Sequence, residues 1–317
     1  VDHPQGNPAF YAGDEFWIFW PIPAGYSVSL DPYNIARGFQ NRTSPLYNCW
    51  DGGGVARPIW QGVRACNIFL ENIEKVSDLD SYMKKRWIAE VKFLKAYYHW
   101  YLLRMYGPIP IIDTNLPISA SSDEVRVKRQ PVDDVVKYIA DLIDSAVGDD
   151  PEAGLPNKID NQATELGRIT KPIALSIKSQ ILVTAASPLF NGNTDYANFN
   201  NVEGKPLFNS TYDAGKWEKA VAACKAAIES CEQAGINLYE FKSTVLAVPY
   251  RTKIEMSIRN AVCEKWNTEL IWGYTGGGSP STSIQLNACP NLDPAIISLS
   301  VRSHLAPPLK LAELFYT

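Results

Sequence analysis

The segment 86–110, RWIAEVKFLKAYYHWYLLRMYGPIP, constrains the fold more than any other part of the chain. One apolar stripe recurs along it at helical spacing and comprises Trp87, Val91, Leu94, Tyr98, Leu102 and Met105. A second stripe runs beside the first and comprises Ala89, Phe93, Ala96 and Trp100. Because a helix that is apolar on two sides has to pack between two neighbours, the segment predicts a buried helix in a stack of helical hairpins.

Polar and turn-forming residues mark both ends of this helix. Ser77-Asp78 and Asp80-Ser81 interrupt the preceding apolar pattern and offer N-caps. At the other end, Gly107 permits a left-handed cap and Pro108 cannot continue a helix. We therefore expect one long helix between these two signals.

Helical spacing of apolar residues also recurs elsewhere in the chain. The predicted hairpins pair 57–76 with the long helix of 86–110, 131–146 with 170–186, and 213–234 with 251–263. Ala89, Phe93 and Ala96 follow the small–aromatic–small pattern of a tetratricopeptide repeat, although the spacing of the hairpins exceeds the strict period. The sequence thus predicts a mainly α fold, a tetratricopeptide-like helical-hairpin scaffold with long irregular loops and minor β structure. A generic α-solenoid or helical bundle is the alternative.

We expect a single domain over residues 1–317 with three parts. A loop-rich region over 1–55 precedes the helical scaffold, which covers 56–265. A second loop-rich region follows over 266–317, as the start of a truncated C-terminal region, and carries a strand-like piece at 270–272. The chain starts without a signal-like stretch and stops inside an amphipathic pattern, so we expect both ends to be incomplete.

Composition excludes several classes of protein. A net charge of −4, a pI of about 5.5 and the lack of a basic block argue against binding to a nucleic-acid backbone. No run of about 18 apolar residues occurs, so no membrane-spanning helix is predicted. Three His without an HExxH motif, and six Cys without a CxxC motif, predict no metal site. The Cys are interpreted mainly as buried thiols, although pairing of Cys49 with Cys66 or of Cys263 with Cys289 stays open.

The sequence contains no catalytic constellation. The glycine-rich stretch 276–279 has neither the strand–nucleophile–helix context of a hydrolase nor the Lys of a phosphate loop. His99 is interpreted as a packed histidine of the long helix, and Asp133-Asp134 as part of a helix start. A carbohydrate-active enzyme would need two carboxyls facing each other across a cleft. We therefore predict no enzyme, no cofactor and no catalytic residue.

Six segments together resemble one known family, and they occur in the order of that family. They are WQGVRACNIFLENI (60–73), AEVKFLKAYYHWYLLRMYGPIPII (89–112), VKRQPVDDVVKYIADLIDSA (127–146), LGRITKPIALSIKSQILVTAASPLFNGN (166–193), YDAGKWEKAVAACKAAIESCE (212–232) and NTELIW (267–272). The chain resembles the SusD/RagB family of Bacteroidota outer-membrane nutrient-binding lipoproteins.

The resemblance implies a tetratricopeptide-like scaffold and a non-catalytic function. It implies capture of a glycan at the cell surface in starch or glycan utilisation, and delivery to a SusC-like TonB-dependent transporter. It also implies attachment to the outer membrane through a lipidated N-terminal Cys, which this chain does not contain. RagB-like relatives capture peptides instead, so a peptide- or protein-binding helical-repeat protein is the alternative.

Glycan capture calls for aromatic faces that pack on sugar C–H groups and for polar side chains that bind hydroxyls. Two loop regions offer this mixture, residues 14–51 and residues 272–287. The predicted stacking rings are Trp20, Tyr26, Trp50 and Tyr274, and the predicted polar partners are Arg42, Asn48, Asp51 and Gln285. Each ring has an alternative role as a core anchor of its loop. Trp17 and Trp272 are assigned to the core because they sit in apolar runs.

Overall fold

The computed structural model is mainly helical. The residues it describes are Gly13, Trp17 and the ranges 31–53, 56–148, 154–242, 248–275 and 306–314. Their α-helices are α1 (Asp31–Ala36), α2 (Ile59–Asn72), α3 (Ser81–Tyr106), α4 (Val132–Val147), α5 (Gln162–Glu165), α6 (Lys171–Ala186), α7 (Gly215–Gln233), α8 (Tyr250–Cys263) and α9 (Leu309–Glu313). Within the described ranges, β structure is limited to isolated bridges such as Asn200 with Pro206. The predicted helices of the scaffold and the mainly α fold class are confirmed.

Helix α3 starts and ends at the predicted signals. The Asp80 side chain accepts a hydrogen bond from the backbone N–H of Met83 at 3.1 Å, as an N-cap does. Gly107 has a φ of 68°, and its N–H donates to the carbonyl of Leu103 at 2.9 Å. Both terminal signals in the sequence therefore act as their chemistry predicts.

Burial along α3 is uneven. The second apolar stripe, Ala89 to Trp100, is buried at every position. The first stripe ranges from the buried Leu102 to Trp87, which is 36% exposed. Five consecutive residues from His99 to Leu103 are buried, so this part of the helix is covered on all sides. The prediction of a helix packed between neighbours is confirmed for its C-terminal half.

The scaffold helices pack in sequence. Helix α3 packs on α4, α4 packs on α6, and α6 packs on α7. Helix α2 comes close to α3 at Gly62, where a Cβ atom would lie 2.9 Å from the Tyr98 ring. Helix α8 forms as predicted but buries none of its residues.

A polar cluster fastens the segment 109–115 to the scaffold. The Lys95 ammonium is 2% exposed and donates to the carbonyl of Asp113 at 2.5 Å and to its carboxylate at 3.0 Å. The Tyr138 hydroxyl donates to the same carboxylate at 2.8 Å. These bonds lower the pKa of Asp113, chiefly through the hydrogen bond from Lys95.

His99 is fully buried in the same cluster. Its Nδ1 lies 2.8 Å from the carbonyl of Lys95, and its Nε2 accepts the N–H of Ile112 at 3.4 Å. This pattern fits a neutral ring with its proton on Nδ1. Burial lowers the pKa of His99 to about 4, because the charged form loses its hydration. The prediction of a packed histidine is confirmed.

A second cluster joins α3 to the loop after α5. Arg168 binds Glu90 with two parallel hydrogen bonds of 2.9 and 2.8 Å. Arg86 and Arg168 both donate to Glu165 Oε1, at 2.9 and 2.8 Å. Two positive and two negative side chains balance each other, so these half-buried and buried charges are paired within the cluster.

The chain forms two compact units. The first comprises residues 1–60 and 276–317, and the second comprises residues 61–275. The first unit contains α1, α9 and the loop 37–53. The second contains α3 to α8 and most of α2.

Several expectations need correction. The segment 270–272 forms a bend and no strand, because it folds onto its own neighbours and no strand lies beside it in the part of the chain that the structure describes. Cys66 and Cys263 carry free thiols, so neither of the two disulfides that the sequence left open is formed. Burial raises the pKa of the Cys66 thiol to about 11. Among the helices that the structure describes, none is long and apolar enough to span a bilayer.

Candidate functional site

The loop 40–47 in the first unit is closed by one side chain. The Gln40 carboxamide donates to the carbonyl of Tyr47 at 2.8 Å and accepts the N–H of Leu46 at 2.7 Å. Inside this loop, the Asn41 side chain accepts the N–H of Ser44 at 2.7 Å. Arg42 lies within the resulting turn and is exposed. The loop thus holds its shape through amide hydrogen bonds of its own residues and presents Arg42 to solvent.

The next turn, residues 48–53, presents Trp50 and Asp51 and is called the Trp50 turn below. The Asn48 side chain accepts the N–H of Trp50 at 3.0 Å and the N–H of Asp51 at 3.1 Å. Gly52 has a φ of 86°, a conformation that favours glycine, and a Cβ there would lie 2.9 Å from the Pro58 ring. The Asn48 oxygen is therefore used to shape the turn. Asp51 is exposed beside it.

Trp50 is half-buried and pairs with a second tryptophan. The rings of Trp50 and Trp60 are 5.2 Å apart at 77°, an edge-to-face contact. The backbone holds them together, because the N–H of Ile59 donates to the carbonyl of Cys49 at 2.9 Å. Sequence reasoning placed Trp60 at the start of a repeat helix and did not assign it to the site. Its closeness to Trp50 depends on the turn between them.

A further aromatic side chain of this loop was not predicted. Phe39 is 54% exposed, and the Arg37 guanidinium lies 5.0 Å from the centre of its ring. Phe39 follows α1 directly, and only its place between helix and loop could have suggested exposure. The loop 37–53 therefore carries two exposed or half-exposed rings, Phe39 and Trp50, and two exposed charged groups of the predicted set, Arg42 and Asp51, while Trp60 adds a third ring from the start of α2.

In the second unit, the segment 264–275 carries Tyr274. Trp272 anchors this segment, because its indole N–H donates to the carbonyl of Gly167 at 3.2 Å. The same ring makes edge-to-face contacts with Phe93 at 5.8 Å and Tyr97 at 5.6 Å. The core role predicted for Trp272 agrees with these contacts. Tyr274, two residues later, is 80% exposed.

Close packing fixes the segment on both sides of Trp272. A Cβ on Gly273 would lie 2.8 Å from Leu270 and 3.0 Å from the Trp266 ring. Gly167 has a φ of 84°, and a Cβ there would lie 3.1 Å from the carbonyl of Gly273. Both glycines therefore leave room that any other side chain would fill.

The remaining predicted residues divide into two groups. Trp20, Tyr26 and Gln285 lie outside the described residues. Trp17 is described and is 45% exposed, with an edge-to-face contact to the buried Tyr33 at 6.0 Å, so its assignment to the core was wrong. An apolar run did not imply burial here: among the described residues, the ring contact of Trp17 is the edge-to-face one with Tyr33. In the described part of the chain, no cluster of three or more His, Cys, Asp or Glu side chains could hold a metal ion.

Comparisons with known proteins identify relatives. Residues 48–181 match the SusD-like family that is described as starch-binding and associating with the outer membrane. The solved structure of BT4246 is 32% identical, with a TM-score of 0.58, over 70% of this chain and 40% of BT4246. Its selenomethionine form is 27% identical, with a TM-score of 0.62, over 87% of this chain and 47% of that form. A SusD-like protein from Bacteroides fragilis is 17% identical, with a TM-score of 0.43, over 75% of this chain and 36% of that protein.

The chain thus spans less than half the length of these solved structures. A search of curated proteins finds no match. The family match covers α2, α3, α4 and most of α6, which form the helical core of the second unit, together with the Trp50 turn. The family match over residues 48–181 and the fold shared with BT4246 show that the chain is similar to SusD-like proteins.

Proposed function

We propose that this protein captures oligosaccharide or polysaccharide at the bacterial outer membrane without cleaving it, and delivers it to a SusC-like TonB-dependent transporter. The description of the matching family, starch-binding and associating with the outer membrane, supports the ligand class and the location. The transporter rests on the resemblance of the sequence to the SusD/RagB family. The chemistry of the loop 37–53 supports capture of a sugar in particular.

The structure of the Trp50 turn is the observation that supports sugar capture most directly. Trp50 and Trp60 are both half-buried, so each ring offers part of its surface to solvent. The C–H face of a pyranose packs on such a surface. Asp51 and Arg42 are exposed on the same loop and can bind hydroxyls with charge-assisted hydrogen bonds. The loop is already held by Gln40 and Asn48, so binding would cost little ordering entropy.

Tyr274 is the second proposed contact. Its ring is 80% exposed on a segment that Trp272 fixes to the scaffold. A rigid tyrosine offers a flat ring face and a hydroxyl at low entropic cost. Asn48 is proposed to act mainly through the turn, because its side-chain oxygen already accepts two backbone N–H groups. Trp20, Tyr26 and Gln285 remain proposed contacts on the grounds of the sequence.

Affinity electrophoresis tests this proposal directly. The chain is run through gels that contain soluble starch or other polysaccharides built from glucose, galactose, mannose or xylose. Retardation of the chain in at least one gel is expected, and Trp50→Ala or Tyr274→Ala should weaken it about tenfold, as loss of one stacking ring predicts. Trp217→Ala is the matched control, because Trp217 is a 39% exposed tryptophan on α7 and lies in no proposed site.

Three results would contradict the proposal. Unchanged retardation in both variants would remove the assigned site. Release of reducing ends from any of the polysaccharides would establish an enzyme. Binding of peptides without binding of any glycan would favour the RagB-like alternative. Co-purification of a TonB-dependent transporter with the full-length protein from outer-membrane extracts tests the delivery step separately.

A further inference from the structure

The loop between α6 and α7 contains a second surface with the same chemistry. Every residue of the segment 194–200, TDYANFN, is exposed. It combines two aromatic rings, Tyr196 and Phe199, with Asp195, Asn198 and Asn200. Sequence reasoning treated this stretch only as a connection between helices.

The two rings are supported from behind. Tyr196 stacks on Phe208 with ring centres 4.6 Å apart and planes at 20°. Phe208 is 8% exposed and also stacks on the buried Phe190 at 6.0 Å and 6°. Because Phe208 covers one face of Tyr196, the 42% exposure of Tyr196 comes from its other face and its edges. Phe199 lies 6.1 Å from Phe208 and is equally exposed.

The backbone around these rings is held in place. The Asn201 side chain accepts the N–H groups of Glu203 and Lys205 at 2.9 Å each, and shapes a tight turn. The N–H of Leu207 donates to the carbonyl of Phe199 at 2.9 Å. The ends of the turn are tied to the region of α4, where Glu203 pairs with Lys128.

Three more contacts fix the loop and the start of α7 to the first turn of α4. Lys205 pairs with Asp134 at 2.8 Å, and Lys216 pairs with Asp133 at 2.5 Å. The N–H of Val132 donates to the carbonyl of Leu207 at 3.0 Å. The segment 194–200 is therefore presented from a frame that does not need a ligand to order it.

The polar side chains of the segment are available to a ligand. Among the described residues, the side chains of Asp195, Asn198 and Asn200 make no hydrogen bond or ion pair with the protein, and all three are exposed. Amide and carboxylate groups of this kind bind the hydroxyls of a sugar. The segment contains neither Met nor Arg, which protein-binding surfaces ordinarily add to their aromatic residues.

We propose that the segment 194–200 is a second carbohydrate-contact surface, on which a pyranose ring packs against Tyr196 and binds Asn198, Asn200 or Asp195 through its hydroxyls. It belongs to the second unit, whereas Trp50 belongs to the first. The inference rests on the proposed capture of carbohydrate and adds a contact for a long polysaccharide.

The test uses the polysaccharide gel that retards the chain most strongly, and the variant Tyr196→Ala. Its affinity is expected to fall about tenfold, as loss of one stacking ring predicts. Tyr196→Phe keeps the ring and the stack, and should stay within about twofold of the unmodified chain. Tyr212→Ala is the control from the same loop, because Tyr212 is 63% exposed and makes no ring contact among the described residues.

A second variant guards against an effect on folding. Asn198→Ala combined with Asn200→Ala leaves the ring stack untouched and should also lower the affinity several-fold. If Trp50→Ala weakens retardation but neither the Tyr196 nor the double asparagine variant does, the second surface is refuted and the proposed function stands. If no polysaccharide retards the chain, both fail. If Tyr196→Ala alters only the binding of a protein from outer-membrane extracts, the carbohydrate assignment is wrong.

Discussion

The Trp50 turn and the Tyr274 segment each present an aromatic ring to solvent, but they are built in different ways. The Trp50 turn is held by Asn48, whose acceptor bonds reach only two and three residues along the chain. The Tyr274 segment is held by Trp272, which bonds a carbonyl 105 residues away. One ring is thus positioned by local chemistry and the other by packing on the helical scaffold.

This difference determines which substitutions would displace each ring. A substitution in the scaffold, such as one at Gly167 or Phe93, reaches Tyr274 through Trp272. The Trp50 turn responds first to changes in its own residues. Even so, an asparagine side chain shapes the backbone in both regions, Asn48 in the Trp50 turn and Asn267 in the Tyr274 segment. Asn267 donates to the carbonyls of Ala261 and Glu264 and accepts the N–H of Glu269, each at 2.9 Å.

The largest effect is expected for Trp272→Ala. The change removes two aromatic contacts and a hydrogen bond, and should lower the free energy of unfolding by about 3 kcal/mol. Urea denaturation followed by far-ultraviolet circular dichroism measures it. Trp272→Phe keeps a ring in the site and should cost about 1 kcal/mol for the lost hydrogen bond. Equal stability of Trp272→Ala and the unmodified chain would show that Trp272 does not anchor the segment.

The helical scaffold, unlike the Trp50 turn, contains a buried histidine that makes its stability depend on pH. The folded state lowers the pKa of His99 to about 4, below the ordinary value of about 6.5, so the unfolded chain takes up the proton first. The stabilisation is therefore complete above about pH 6.5 and is lost as the pH falls toward the folded pKa. Between pH 6.5 and 5 the free energy of unfolding should fall by about 2 kcal/mol on this account.

The His99→Gln variant tests this assignment. It cannot take up a proton, so the dependence on pH over that range should largely disappear, whatever its stability at neutral pH. The neighbouring Asp113 has a lowered pKa and titrates below the range, while the pKa of Tyr138 is raised and lies above it. An unchanged slope in His99→Gln would place the responsible group elsewhere. The protection of the Trp50 turn amides from hydrogen exchange should not change with the protonation of His99 until the whole chain unfolds.

The smallest effect is expected for Asn48→Ala. The variant loses an acceptor for the N–H groups of Trp50 and Asp51, which should cost about 1 kcal/mol. Hydrogen exchange by nuclear magnetic resonance should show faster exchange of these two amides. Asn48→Asp keeps an acceptor oxygen and should protect them. Slow exchange in Asn48→Ala would mean that the turn does not depend on this side chain.

Much of the fold was accessible to sequence reasoning. The helical period predicted α3, and the candidate caps in the sequence included Asp80 and Gly107, where the helix is capped, because capping is local chemistry. The partner α8 was also predicted, although it buries nothing. The strand expected at 270–272 failed because apolar residues in a row do not reveal whether a neighbouring strand exists.

The candidate site was harder to predict. Arg42, Asp51 and Tyr274 are exposed, as a binding role requires, but their contact with a ligand is still a prediction. Trp60 and Phe39 were missed because each sits next to a helix end, where the sequence favours a structural role. Tyr196 was missed because its support comes from Phe208, which is distant enough in sequence to form no periodic pattern with it.

The sequence by itself determined the helices, their ends and the resemblance of the chain to SusD-like proteins. These depend on spacing, capping and turn chemistry, which act over a few residues. Only the tertiary structure decided which aromatic rings are buried and which face solvent. Trp272 is anchored in the scaffold while Trp17, from a similar apolar run, is 45% exposed. Burial depends on partners that fold from elsewhere in the chain, such as Gly167, Phe93 and Tyr97, and no local pattern encodes them.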